Sequence, residues 1–169
     1  MNVDKTIIFN QDINTATATS LFERVNNAID GGATRILLNI SSNGGETVTA
    51  ISMYNYLKSL PVQIDTCNIG NVASAAVLLY LAGKVRYCKE NSKFLIHPPT
   101  LQKSVPMDYI GIKEVLLIVE ADIVNYIKTF KSETANAKTP FDINTYLTVH
   151  SATINKENAF NHGIVTTLE

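Results

Sequence analysis

The sequence predicts an α/β protein with a mostly parallel sheet and flanking helices. In the first half of the chain, short apolar segments alternate with segments whose apolar residues recur at helical spacing. This alternation is typical of β–α–β crossovers, which connect parallel strands. The segment 35–40 also contains the run Ile36-Leu37-Leu38, which is typical of a strand buried on both faces.

The first half is predicted to hold three strands and three helices. The strands are 6–9, 35–40 and 62–67, and the helices follow them, beginning in 14–17, at 46–47 and at or just after Ser74. Gly31-Gly32, Pro61 and Gly83 are predicted to end these helices, since glycine and proline interrupt regular helix. In the second helix, Val48, Ile51, Tyr54 and Leu57 are expected to face the core.

The second half is predicted to contain strands at 85–88 and 94–97 and then one long helix from Asp108 to about Thr134. At about 1.5 Å per residue that helix is roughly 40 Å long. It either lies across the sheet or projects into another subunit. Asp142 is expected to cap a short helix that ends near His150, and Asn155 a last helix over 156–162, followed by a short strand at Ile164-Val165.

The composition is that of a single globular domain covering 1–169. Hydrophobic residues make up 46% and charged residues 17%, and the net charge is −1. Without a basic block we expect no nucleic-acid partner. The polar N-terminus and a longest apolar run of only 75–82 indicate no membrane segment. We therefore expect a cytoplasmic protein.

The cysteines and histidines do not predict a metal site. Cys67 and Cys88 each lie in a predicted strand, and the three histidines are scattered along the chain. We expect buried free thiols, no metal ion and no cofactor.

Ser74 stands at the corner where a predicted strand passes into a helix, with alanines on both sides. Small neighbours leave space for a substrate, so the position suits a serine nucleophile. The alternative is that Ser74 only caps the helix. The paired glycines Gly44-Gly45 and the strand-terminal His97 each have ordinary structural explanations too. Their order along the chain, each at the end of a strand, favours a common site at one edge of the sheet.

Three of these segments resemble successive motifs of the Clp protease proteolytic subunit family. Ser42–Gly45 is similar to its Asn-Ser-Pro-Gly-Gly loop, Gly70–Ala75 to its serine turn, and Asn91–Pro99 to its histidine strand. Asn158–Val165 resembles the closing Glu-Ala-x-x-x-Gly-Leu-Val segment. The interval from Gly45 to Ser74 is 29 residues, as in the family pattern. The resemblance covers nearly the whole chain and implies a ClpP/crotonase-like fold of repeated ββα units with one long protruding helix.

The resemblance implies a serine endopeptidase that works by acyl-enzyme chemistry. Ser74 would be the nucleophile and His97 the general base, and the backbone N–H groups of Gly45 and Ala75 would form the oxyanion hole. It also implies peptide or unfolded-protein substrates, a homo-oligomeric ring (a heptamer in the family) and an AAA+ unfoldase partner, with no membrane involvement.

The chain departs from the family pattern at the third triad position, which is an aspartate in the family. Alignment on Ala159 and Gly163 places Ser151 there, beside His150. Asp142, Asp108 or Ser151 with a water are the substitutes that the sequence offers. Two alternatives to an active peptidase therefore stay open: a catalytically silent Clp-like subunit and a crotonase-type acyl-CoA enzyme.

Overall fold

The computed structural model describes residues 3–100 and 106–168, and six strands and six helices are assigned within them. The strands are β1 (Lys5–Phe9), β2 (Arg35–Ser42), β3 (Gln63–Ala73), β4 (Arg86–Cys88), β5 (Lys93–Ile96) and β6 (Ala152–Asn155). The helices are α1 (Thr15–Asp30), α2 (Thr47–Ser59), α3 (Ala76–Leu81), α4 (Tyr109–Glu133), α5 (Ile143–Thr148) and α6 (Lys156–Asn161).

The strands form one mostly parallel sheet, as predicted, in the order β1-β2-β3-β5-β6. β3 is long because it pairs with two strands on the same side: Thr66–Asn68 with β4 and Asn71–Ala73 with β5. Only the β5–β6 pair, among the described strands, is antiparallel. The last residues of β3 therefore lie beside β5, so that the two strands end next to each other.

The predicted helices form, and side-chain caps fix the starts of α1, α4 and α6. Asp142 stands at the predicted start of α5, but its side chain makes no capping bond to the backbone. The Asn14 side chain accepts a hydrogen bond from the Thr17 amide, and the Thr17 hydroxyl accepts one from the Asn14 amide, both at 3.0 Å. This reciprocal capping box fixes the start of α1. α3 is fully buried on every side, as expected of a helix that is apolar all round. Cys67 and Cys88 are both buried, as predicted, and no disulfide joins them.

Two sequence predictions were wrong in detail, and one strand was missed. Val48 is exposed, because α2 turns Ala50, Met53 and Leu57 to the core instead. Ile164-Val165 is not a strand, since both amides donate to the carbonyl of Ala159 at the end of α6. β6 was not predicted at all.

The long helix α4 is confirmed and projects from the rest of the molecule. The Asp108 side chain caps it by accepting a hydrogen bond from the Gly111 amide at 2.8 Å. Only Tyr126 and Phe130 are buried among its described side chains. Seven of its apolar side chains are exposed: Tyr109, Ile110, Ile112, Leu116, Leu117, Ile118 and Val124. The helix therefore does not lie across the sheet. No helix in the described ranges is long and apolar enough to cross a membrane.

Arg86 joins β4, the end of α4 and the C-terminal segment. Its Nε donates to the Ile164 carbonyl at 2.7 Å, and its Nη2 donates to the carbonyls of Glu133 and Gly163 at 2.8 and 2.9 Å. Its Nη1 contacts the Gly83 carbonyl and the Glu133 carboxylate at 3.2 and 3.3 Å. The guanidinium is 5% exposed, so its charge is stabilised by these acceptors rather than by water.

We expect Arg86→Met to lower the free energy of unfolding by about 3–5 kcal/mol, because it leaves the carbonyls of Ile164, Gly163 and Glu133 without their donor. The Glu133 carboxylate loses one partner and keeps its contacts with Lys58 and Tyr54. Urea denaturation followed by circular dichroism measures this loss. Lys84→Met, at an exposed position nearby, is the matched control and should change stability by less than about 0.5 kcal/mol. Equal losses in the two variants would contradict the role assigned to Arg86.

Candidate active site

Ser74 lies at the corner between β3 and α3 and adopts a left-handed backbone conformation, with φ of 54°. Its amide donates to the Leu95 carbonyl on β5 at 2.7 Å, and its carbonyl accepts from the Tyr126 hydroxyl at 3.0 Å. The N-cap of α3 is Ala75, and no side-chain capping bond is made. The helix-cap explanation of Ser74 is therefore wrong. A partly exposed serine on a strained strand-to-helix turn is the arrangement of a nucleophile elbow.

The loop after β2 approaches this corner so closely that only glycine fits. Gly44 has φ of 97°, and a Cβ placed on it would lie 2.7 Å from the Ala73 carbonyl oxygen and 2.8 Å from the Ser74 Cβ. Gly45 has φ of 143°, and its Cβ would lie 2.1 Å from the Ile13 carbonyl oxygen. Backbone hydrogen bonds to Ile13 from either side hold the loop in place.

The backbone amides of Gly45, in the loop after β2, and of Ala75, next to Ser74, have no acceptor among the described residues. Within the described part of the chain, neither the Gly45 nor the Ala75 N–H group donates a hydrogen bond. The Ala75 nitrogen lies 3.1 Å from the point where a Gly44 Cβ would stand, so the loop and the corner are in contact. Unpaired amides at such a junction can stabilise an oxygen that becomes negatively charged.

His97 follows β5 directly, and its ring contacts the backbone of the next residue, Pro98. Nδ1 lies 2.7 Å from the Pro98 carbonyl oxygen. Because a carbonyl oxygen can only accept, Nδ1 carries the proton and Nε2 keeps its lone pair in the neutral ring. Ser74 and His97 line the same cleft, although no hydrogen bond joins their side chains among the described contacts.

The cleft also contains side chains that the sequence did not identify. Its lining consists of Thr47, Ser74, Ala75, His97, Pro99, Asp122, Ile123, Tyr126 and Leu147. Asp122 and Tyr126 lie one turn apart on α4, so they share a face of that helix. Burial raises the pKa of both side chains. The spacing of four residues was visible in the sequence, but nothing there indicated that this end of α4 packs on the serine corner.

The residues that the sequence offered for the third triad position do not line the cleft. Ser151 is exposed between α5 and β6. Asp142 precedes α5 and accepts a hydrogen bond from the Thr145 hydroxyl at 2.7 Å, and this contact and the neighbouring amides lower the pKa of the Asp142 carboxyl. Asp108 caps α4. In residues 3–100 and 106–168, no group of three metal-ligating side chains is arranged to hold a metal ion.

The Clp protease family model matches residues 1–167. The chain belongs to the Clp protease family. It is 39% identical over 66 residues to the ATP-dependent Clp protease proteolytic subunit of Carsonella ruddii, covering 38% of this chain and 34% of that protein. It is 26% identical over 113 residues to the same subunit of Cyanophora paradoxa, covering 65% and 58%. The alignments thus span less than two thirds of these relatives.

A solved Clp protein has the same fold. A point mutant of ClpP1 from Listeria monocytogenes superposes with a TM-score of 0.75 at 19% identity, covering 97% of this chain and 90% of that one. The resemblance read from the sequence and the ClpP-like α/β fold are both confirmed.

We expect Gly44→Ala to distort the Ser74 corner, because the new methyl group collides with Ala73 and Ser74. Gly32→Ala is the matched control: Gly32 also has a positive φ, of 89°, but nothing lies within 4 Å of its Cβ position. Gly32→Ala should lose about 1–2 kcal/mol of stability from backbone strain. Gly44→Ala should lose more, because the collision adds to the same strain. Labelling of Ser74 by a fluorophosphonate should fall at least tenfold in Gly44→Ala relative to Gly32→Ala. Equal labelling would mean that the loop does not hold the corner.

Proposed function

We propose that this Clp family member is a serine endopeptidase with Ser74 as its nucleophile and His97 as its general base. The observation that carries the proposal is the strained Ser74 corner facing the same cleft as His97. The unpaired amides of Gly45 and Ala75 support it, because an acyl transfer needs donors for the oxyanion.

In the proposed reaction, His97 Nε2 takes the proton of the Ser74 hydroxyl as Oγ attacks the peptide carbonyl. The carbonyl oxygen becomes negatively charged and is stabilised by the N–H groups of Gly45 and Ala75. The imidazolium then gives its proton to the leaving amine, and an ester to Ser74 remains. Water, activated by His97, hydrolyses this ester.

The Pro98 carbonyl takes over part of the role of the missing aspartate. By accepting from Nδ1 it selects the tautomer whose Nε2 is free to accept a proton. A neutral carbonyl stabilises the imidazolium less than a carboxylate does. We therefore propose a slow peptidase that needs neither Asp142 nor Ser151 in the triad.

The substrate is proposed to be an extended peptide that lies as an added strand between the Gly45 loop and the chain after His97. The exposed apolar face of α4 supports assembly, because large apolar patches on a surface mark interaction sites. We propose a homo-oligomeric ring, as in the family, to which an AAA+ unfoldase delivers unfolded proteins.

Two observations favour a second candidate, the catalytically silent Clp-like subunit. No carboxylate stands at Ser151, and no hydrogen bond joins Ser74 to His97 in the described contacts. Such a subunit would keep the fold and the assembly surface. The family match over residues 1–167 favours either form over the crotonase-type enzyme.

Labelling with a fluorescent fluorophosphonate tests the nucleophile. We expect the native protein to be labelled at one site, and Ser74→Ala to lose the label. His97→Ala should slow labelling by roughly two to four orders of magnitude, the range of a general base. Ser20→Ala, at an exposed serine on α1, should label as the native protein does. A folded native protein that is not labelled would support the silent subunit.

Light scattering at micromolar concentration tests the assembly. We expect a multiple of the 18.5 kDa chain mass, and we expect Leu117→Glu to reduce it, because the charge would have to be buried against another subunit. Lys113→Glu, at an exposed polar position on the same helix, is the control. A strict monomer, or equal effects of the two substitutions, would exclude assembly through α4.

A further inference from the structure

We propose that the cleft beside Ser74 selects peptides with lysine or arginine immediately before the scissile bond, and that Asp122 is the carboxylate that recognises the basic side chain. The inference rests on the proposed peptidase function and adds a substrate class to it. Membership of the Clp protease family does not by itself imply this preference.

Asp122 places a carboxylate in the same cleft as the candidate nucleophile. It lies on α4, is partly buried, and lines the cleft together with Ser74 and His97. Among the described residues, no hydrogen bond or ion pair engages its side chain. Burial raises the pKa of this carboxyl, because the charged form has lost part of its hydration without gaining a partner. A cation that enters the cleft would supply that partner.

The other walls of the cleft suit the rest of a basic side chain. Pro99, Ile123 and Leu147 present apolar surface, and lysine and arginine carry a methylene stem that packs against such surface while the charged head reaches a polar group. A leucine side chain would fill the apolar part but leave the carboxylate desolvated and unpaired. An acidic side chain would be repelled.

Among the described residues, no cation lines the cleft beside Asp122. The nine lining residues include no lysine or arginine. The other titratable groups there are His97, whose Nδ1 is bonded to Pro98, and Tyr126, whose hydroxyl donates to the Ser74 carbonyl. Because Nδ1 of His97 already has its acceptor, Asp122 is not the orienting acid of a triad. Its carboxylate is left to face the substrate.

Cleavage of fluorogenic peptides that differ only in the residue before the scissile bond tests the preference. We expect kcat/KM to be about ten- to a hundredfold higher for lysine than for norleucine, the neutral side chain of similar shape, since a charged hydrogen bond is worth about 1.5–3 kcal/mol. Asp122→Asn should abolish this ratio, and Asp122→Glu should retain most of it. Glu120→Gln, at an exposed acid two residues away that does not line the cleft, should leave the ratio unchanged.

Binding provides a reading that does not depend on turnover. In the Ser74→Ala variant, fluorescence polarisation measures the affinity of labelled tetrapeptides ending in lysine or norleucine. We expect tighter binding of the lysine peptide, and we expect Asp122→Asn in the same background to remove the difference. Circular dichroism confirms that each variant is folded.

The outcomes separate the two proposals. Fluorophosphonate labelling of Ser74 with no lysine preference, or with a preference that Asp122→Asn keeps, overturns the inference and leaves the peptidase proposal standing. No labelling together with Asp122-dependent binding of the lysine peptide overturns the peptidase and supports the role of Asp122. If neither labelling nor preferential binding occurs, both are wrong.

Discussion

The hydrogen bond from the Ser74 amide to the Leu95 carbonyl, 2.7 Å long, is the contact on which the candidate site depends. It joins the end of β3 to β5 just before β5 delivers His97. Because β3 has already paired with β4 through its first half, only its last residues can reach β5. The bond therefore fixes two chain segments, with Ser74 and His97 23 residues apart, at one edge of the sheet. Together with the pairing of Asn71–Ala73 with β5, it places the serine and the histidine in a common cleft.

The shape of the site at that edge depends on unusual backbone conformations more than on side-chain contacts. The left-handed conformation of Ser74 costs about 1–2 kcal/mol, and Gly44 and Gly45 adopt positive φ angles next to it. The surroundings offset this strain: α3 is buried on all sides, and the Tyr126 hydroxyl bonds the Ser74 carbonyl. Since Tyr126 belongs to α4, the projecting helix is also part of the support of the serine corner. Arg86 in turn anchors the far end of α4 to the sheet.

The sequence predicted what depends on local pattern. Hydrophobic periodicity located the helices and the central strands, and the ordered glycines, Ser74 and His97 indicated their common edge. What it missed depends on contacts between distant segments. β6 is four residues long and forms only because β5 offers an antiparallel partner. β3 continues past Cys67 because its last residues pair with β5. Asp122 and Tyr126 line the cleft because α4 packs there. Neither feature is determined by neighbouring residues in the sequence.

The third triad position illustrates how one role can be divided. An aspartate beside a histidine both selects the tautomer and stabilises the imidazolium. At His97 the Pro98 carbonyl can select the tautomer, because any acceptor at Nδ1 does so. It cannot match a carboxylate in stabilising the positive charge. Pro98 adjoins His97 in the chain, so this acceptor comes with the strand end itself and does not require the segment around Ser151 to reach the cleft. In the proposed reaction, the charge that develops on the His97 ring is therefore less well compensated than it would be beside a carboxylate.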